Sequence, residues 1–288
     1  MNYKNKMMIM AALAGPLSFG VYAGEKQQDE SPFWQSYFVH SSTYFQQQSS
    51  VSTTSNGDDS KTVSSQNLMF DTYAMGRLGN STYFGFVEGV FGKLNGSKSD
   101  NPGLPYGDDL LQIRGQFSQQ WSVTKELSVG WNYFGLSRNM AAVNNDNGKF
   151  GYSFDSAGIV STYRMGKWMF MPQLNYVFNG DMGKDGMFNL GSDKFTGLYF
   201  MPIVRRQIAD NGAYVTLLPE YFTADGDGGS EATYVKLQFR VGAPITDDGK
   251  LWVNARFEHQ KHYDFIYRGV DLAPDTDTTV SVGIQYSW

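Results

Sequence analysis

From residue 33 onward the chain alternates apolar and polar positions with a period of two. Leu111, Ile113 and Phe117 interleave with Gln112, Arg114, Gln116 and Ser118. Val235, Leu237, Phe239 and Val241 interleave with Tyr234, Lys236, Gln238 and Arg240, and Leu251, Val253, Ala255 and Phe257 with Trp252, Asn254, Arg256 and Glu258. Successive side chains of a strand point to opposite faces, so each run has one apolar face and one face that carries charge. Turn signals divide the chain into twelve such strands, at 33–46, 66–77, 81–93, 110–121, 126–138, 150–164, 168–179, 194–206, 213–223, 230–243, 250–261 and 276–288.

The connections narrow the architecture. The odd-numbered ones contain 19, 16, 11, 14, 6 and 14 residues, and the five between them 3, 4, 3, 6 and 6. Long and short alternate, apart from the ninth. A soluble sandwich has no reason to gather its long loops at one end, whereas an outer-membrane barrel has short periplasmic turns and long extracellular loops. The strand lengths suit a tilted crossing of the hydrocarbon, which takes roughly 9 to 11 residues. Lipid cannot satisfy an open sheet edge, so the sheet must close. The predicted fold class is therefore all-β: a twelve-stranded antiparallel transmembrane β-barrel in the outer membrane of a Gram-negative bacterium.

Composition agrees and removes other chemistries. A mean hydropathy of −0.39 is too polar for a helical membrane protein, while a barrel dilutes its apolar residues with polar lumen residues. There is no cysteine among the 288 residues, which excludes disulfide frameworks, thiolate metal sites and cysteine nucleophiles. A formal charge of −5 without any Lys/Arg run argues against nucleic acid as a partner. Lys4 and Lys6 precede the apolar stretch 7–19, which is followed by Val21, Tyr22 and Ala23. This predicts a signal peptide at 1–23, cleaved after Ala23, with the barrel occupying 24–288. Val280, Val282, Ile284, Tyr286 and Trp288 alternate with Thr279, Ser281, Gly283, Gln285 and Ser287. This segment resembles the terminal strand by which the barrel-assembly machinery recognises its substrates.

The stretches TYFGFVEGVFG at 82–92 and ELSVGWNYFGLSRN at 126–139, with Ala243, Pro244, Ile245 and Thr246 after the tenth strand, resemble the Tsx-type nucleoside-specific channels. The opening Phe33, Trp34, Gln35, Ser36 differs from the paired-Trp opening of that family. The resemblance implies a monomeric twelve-stranded barrel, some of whose relatives serve as phage receptors. It also implies passive diffusion of nucleosides past a lumen that offers aromatic faces to the base and polar groups to the sugar.

If the apolar positions face lipid, their neighbours face the lumen. The candidate pore-lining charges are then Glu88, Arg114, Arg138, Lys236, Arg240, Arg256 and Glu258, which either pair across strands to hold the wall or line a path. Tyr73, Phe84, Phe86, Phe134, Tyr234 and Trp252 fall on the same inward phase, where they either fill a narrow barrel or stack against a flat base. Membrane lipid and lipopolysaccharide are the surroundings expected outside. The alternatives are a general or sugar-type small porin, a surface receptor, or a phospholipase using a Ser nucleophile with His as base on the lipid-facing wall. His40 and Ser42 have the spacing for the last of these. No catalytic residue, metal site or cofactor is expected. His259 and His262 differ in strand phase, and the Asp225–Gly229 run lacks the later Glu of a calcium loop.

Overall fold

The computed structural model describes residues 36–53, 60–94, 110–141, 149–183, 193–271 and 275–287. The expected signal peptide and the segment 33–35 lie outside these. The first six strands are β1 (Ser36–Thr53), β2 (Ser60–Leu78), β3 (Ser81–Leu94), β4 (Leu110–Ser122), β5 (Leu127–Ala141) and β6 (Lys149–Met165). Strand β7 comprises Trp168–Met171 and Gln173–Gly183, interrupted at Pro172, and β8 comprises Asp193–Phe200 and Ile203–Gln207, interrupted at Met201 and Pro202. The chain continues through β9 (Tyr214–Gly226), β10 (Glu231–Pro244), β11 (Leu251–Tyr267) and β12 (Thr276–Ser287). Each strand pairs antiparallel with its neighbours, and β12 pairs with β1 from His40 opposite Ser287 to Val51 opposite Thr276. That last pairing closes the sheet, so the barrel has no edge to leave unsatisfied in lipid.

The short turns gather at one end of the barrel and both ends of the described chain lie there too. Four of these turns contain a glycine at positive φ, among them Gly79 at φ +59° and Gly166 at φ +56° in the left-handed conformation that a side chain disfavours. Outward positions form an apolar belt, with Ile159, Leu174, Val235, Leu237, Val282 and Ile284 all exposed. Trp121, Tyr163, Trp168 and Tyr286 stand outward near the short-turn end. An aromatic girdle at one interface and an apolar band above it are the surface that a bilayer requires.

Two expectations change. The stretch 47–65, expected to be a loop, is largely strand, since β1 and β2 keep one register up to Thr53 opposite Ser60. Its Ser, Thr and Gln residues carry no apolar alternation because strands extended beyond the membrane need no lipid-facing side. Strand β11 likewise runs on to Tyr267, past the expected end at 261. A bulge opposite Thr233 and Tyr234 then shifts its phase, so that His262 and Phe265 are both buried inside the barrel although they are three residues apart.

One glycine in the wall is fixed by packing. The Phe195 ring lies against Gly180, where an added Cβ would overlap the ring. Gly180→Val is expected to displace that ring and cost about 1–3 kcal/mol, the usual penalty of overpacking. A lowered temperature for loss of the folded barrel's gel mobility would register it.

Candidate functional site

Strand register stacks the lumen side chains in layers. Nearest the short turns, Arg164, Met169, Arg205, Thr216 and Arg240 lie opposite one another on β6 to β10. The next layer toward the long loops carries Met171 opposite Ile203, and Leu218 opposite Gln238. On the facing wall Tyr73 lies opposite Phe86, and Met75 opposite Phe84. Together these layers enclose a cavity of about 190 Å³ that brings Tyr73, Phe84 and Phe86 to the same space as Glu88, Arg114 and Arg240.

A charged layer roofs this cavity. Asp71, Glu88 and Arg114 are successive partners on β2, β3 and β4, so alternation delivers all three to the lumen side by side. Arg114 Nη2 donates to Glu88 Oε2 at 3.0 Å, while Arg256 Nη1 reaches the same oxygen from β11 at 2.6 Å. Arg114 Nη1 also crosses the lumen to Glu220 Oε1 on β9 at 3.3 Å, and Lys236 Nζ holds that oxygen at 2.8 Å. Arg240 approaches Asp71 at 3.9 Å and Glu88 at 3.7 Å. Arg256 pairs with Glu258, which accepts from Gln238 Nε2 at 2.8 Å. Glu88 and Arg256 are almost wholly buried. The charges therefore tie opposite walls together as a crossbar rather than standing singly around an open ring.

Above the crossbar the lumen is packed with rings. Phe134 stacks on Tyr199 at 4.7 Å, Phe154 on Phe222 at 4.9 Å and Phe222 on Tyr234 at 5.2 Å. Tyr152 on β6 meets Phe265 on β11 at 5.2 Å, and Phe150 meets the same ring at 5.6 Å. Beside these, Arg138 Nη1 donates to Gln260 at 2.6 Å and Nη2 to Asp277 at 3.0 Å. Further out, Arg268 pairs with Asp193 at 2.9 Å, and Ser230 Oγ donates to the same carboxylate at 3.0 Å. The hydrogen bonds from Arg268 hold the Asp193 carboxyl below its ordinary range.

All thirteen residues expected on the inward phase do face inward, but not in one place. Tyr73, Phe84, Phe86, Glu88, Arg114 and Arg240 line the cavity. Lys236, Arg256 and Glu258 belong to the crossbar, Arg138 lies above it, and Phe134 and Tyr234 are within the aromatic plug. Trp252 sits at the turn end, its Nε1 donating to Gly249 O at 2.7 Å. Sequence reasoning missed the plug residues Phe150, Tyr152, Phe154, Phe222 and Phe265 and the cavity methionines Met75, Met169, Met171 and Met201. Their signal was an apolar run on the supposedly polar phase.

The pair His40 and Ser42 points into the lumen rather than toward lipid. His40 stacks on Tyr73 at 4.8 Å and its Nδ1 lies 2.6 Å from Ser287 Oγ, while Ser42 Oγ donates to Gln285 at 3.5 Å. The lipid-facing arrangement that phospholipase chemistry needs is not formed.

No protein family's sequence pattern matches the chain, and no curated protein sequence is similar to it. Solved structures do resemble it in shape. An outer membrane channel of Pseudomonas putida F1 aligns over 92% of this chain and 99% of its own, with a TM-score of 0.55 and 10% identity. The translocator domain of the autotransporter NalP from Neisseria meningitidis aligns over 98% and 95%, with a TM-score of 0.44 and 9% identity. OmpT, an outer membrane protein of Vibrio cholerae, aligns over 88% and 97%, with a TM-score of 0.42 and 9% identity. Closed ring, apolar belt and the first of these likenesses agree: the chain has the fold of a twelve-stranded outer-membrane β-barrel.

Proposed function

We propose that the protein is an outer-membrane channel for passive diffusion of small solutes, and that nucleosides are its substrates. The observation that supports this best is the cavity that joins Tyr73, Phe84 and Phe86 to Glu88, Arg114 and Arg240. A nucleoside is a flat base on a polyhydroxylated sugar. The rings supply faces for the base, and the carboxylate and guanidinium groups supply acceptors and donors for the hydroxyls. The resemblance of 82–92 and 126–139 to the Tsx-type channels points the same way. On this reading the chain works as a monomer, surrounded by lipid and lipopolysaccharide, and its last strand presents it to the assembly machinery after export.

The aromatic plug packs into the long-loop half of the lumen, and on this reading conduction requires the plug rings to move. A general porin has no need of a filled lumen, which makes the selective reading the better one. The test is single-channel conductance of the refolded barrel in a planar bilayer, titrated with adenosine, thymidine and glucose. Block by both nucleosides without a glucose effect is expected, and Phe84→Ala with Phe86→Ala is expected to abolish it. Conductance indifferent to all three solutes would make the protein a general porin.

A further inference from the structure

Three prolines stand side by side in the lipid-facing wall. Met171 lies opposite Ile203, which places Pro172 opposite Pro202 at the next position of β7 and β8. On the other side of β8, Phe200 pairs with Tyr221 and Val204 with Leu217, which places Pro202 opposite Pro219 of β9. Met201 N donates to Gln173 O on β7 at 3.0 Å, so residue 202 turns its backbone toward β9. In a regular antiparallel ladder residues 202 and 219 would exchange two hydrogen bonds. Neither proline has an N–H, and both bonds are absent. The β8–β9 ladder stops at Phe200 and Tyr221 and resumes at Val204 and Leu217. At about 3.4 Å per residue, that leaves roughly 13 Å of wall unstitched.

Proline is normally confined to sheet edges and bulges, and unpaired backbone is costly in lipid. A gap of this kind inside a closed barrel is therefore a feature that asks for a use. The lumen side supplies one. Met171, Met201, Ile203 and Leu218 of the cavity lining lie immediately behind the gap, and the lipid side carries Phe200 and Leu217. Apolar side chains thus flank this part of the wall on both its lumen and its lipid side. One layer nearer the turns, Arg164 and Arg205 also line the cavity, and among the described residues neither has a carboxylate partner within 4.0 Å.

We infer that the β8–β9 seam at Pro172, Pro202 and Pro219 is a lateral portal through which amphipathic carboxylates pass between the lumen cavity and the membrane. Arg164 and Arg205 hold the head group while the methionine and aliphatic lining takes the tail. Parting two strands that share no hydrogen bonds over this stretch breaks only side-chain contacts, so the seam opens without unpairing the rest of the barrel. The portal rests on the channel reading for the route that leads solutes to the cavity, and goes beyond it in substrate and direction.

The chain's lack of cysteine allows a staple to be placed in the gap. Residues 203 and 218 form a directly opposite, non-hydrogen-bonded pair, whose Cα separation suits a disulfide. In cells carrying Ile203→Cys with Leu218→Cys, uptake of labelled laurate is expected to fall, under oxidising conditions, to that of cells lacking the protein. A reductant should restore it, while adenosine uptake in the same cells, at whatever level the two substitutions set, should not respond to the reductant. A control staple, Tyr221→Cys with Val235→Cys, joins β9 to β10 where the ladder is intact and should leave laurate uptake as it was. Pro202→Val with Pro219→Val, which restores both N–H groups, should lower laurate uptake without any disulfide. Laurate uptake that ignores the first staple, falls in step with adenosine uptake, or never exceeds that of cells lacking the protein overturns the portal. Staple-sensitive laurate uptake without adenosine entry would keep the portal and remove the nucleoside reading.

Discussion

Glu88→Gln is expected to loosen the barrel from the inside. Glu88 is almost fully buried and receives Arg114 from β4 and Arg256 from β11, with Arg240 close by. Removing its charge leaves three guanidinium groups facing one another with Asp71, Glu220 and Glu258 as their remaining counterions. Breaking a buried ion pair by neutralising one partner typically costs about 3–5 kcal/mol, because the other charge stays desolvated. Stability measured by denaturant unfolding in lipid vesicles should fall by that order. The added net positive charge in the lumen should also shift the reversal potential in a KCl gradient toward anion preference. Adding Arg256→Gln to the same chain should recover part of the loss, since the two side chains are in direct contact and their effects cannot be additive. An unchanged stability in Glu88→Gln would mean that water in the lumen, rather than the crossbar, compensates these charges.

The second large effect is expected at the plug. Phe154 and Phe222 stack at 4.9 Å between β6 and β9, and both are fully buried. Truncating a buried Phe to Ala costs about 3–5 kcal/mol, and the two losses should sum to less than twice that because the rings share one contact. If the plug is what closes the long-loop half of the lumen, Phe154→Ala with Phe222→Ala should raise single-channel conductance severalfold and weaken discrimination between solutes. A conductance equal to that of the unaltered chain would place the closure elsewhere. The same experiment on Phe84→Ala with Phe86→Ala separates closing from binding, because those rings lie in the cavity below the crossbar.

Much of the inner wall was legible from alternation alone. Wherever a strand crosses lipid, its outward side chains must be apolar, so Val280, Val282 and Ile284 give their phase away and fix Ser281 and Gln285 as inward. The same rule read Arg114, Lys236, Arg240, Arg256 and Glu258 correctly. It fails above the membrane, where both faces are wet or packed and the outward side need not be apolar. On β6, Phe150, Tyr152 and Phe154 fill the lumen, while Ser153 and Asp155 take the outer face, with Asp155 accepting from Tyr133 and Asn179 at 2.6 and 2.7 Å. A phase assigned from hydrophobicity would turn that segment inside out. The stretch 47–65 failed for a related reason, since strands held by backbone pairing to each other carry no side-chain signature of lipid.

The sequence by itself determined the number of strands, the end at which the short turns lie and the closure of the sheet. Each of these follows from local alternation and from the bilayer's refusal to solvate a peptide group. Only the tertiary structure decided which inward side chains meet. Arg114 finding Glu220, Tyr152 finding Phe265 and three prolines lining up on β7, β8 and β9 all depend on register and on curvature around the ring. Residues far apart in the chain are brought opposite one another by barrel closure, and a period of two carries no information about that distance.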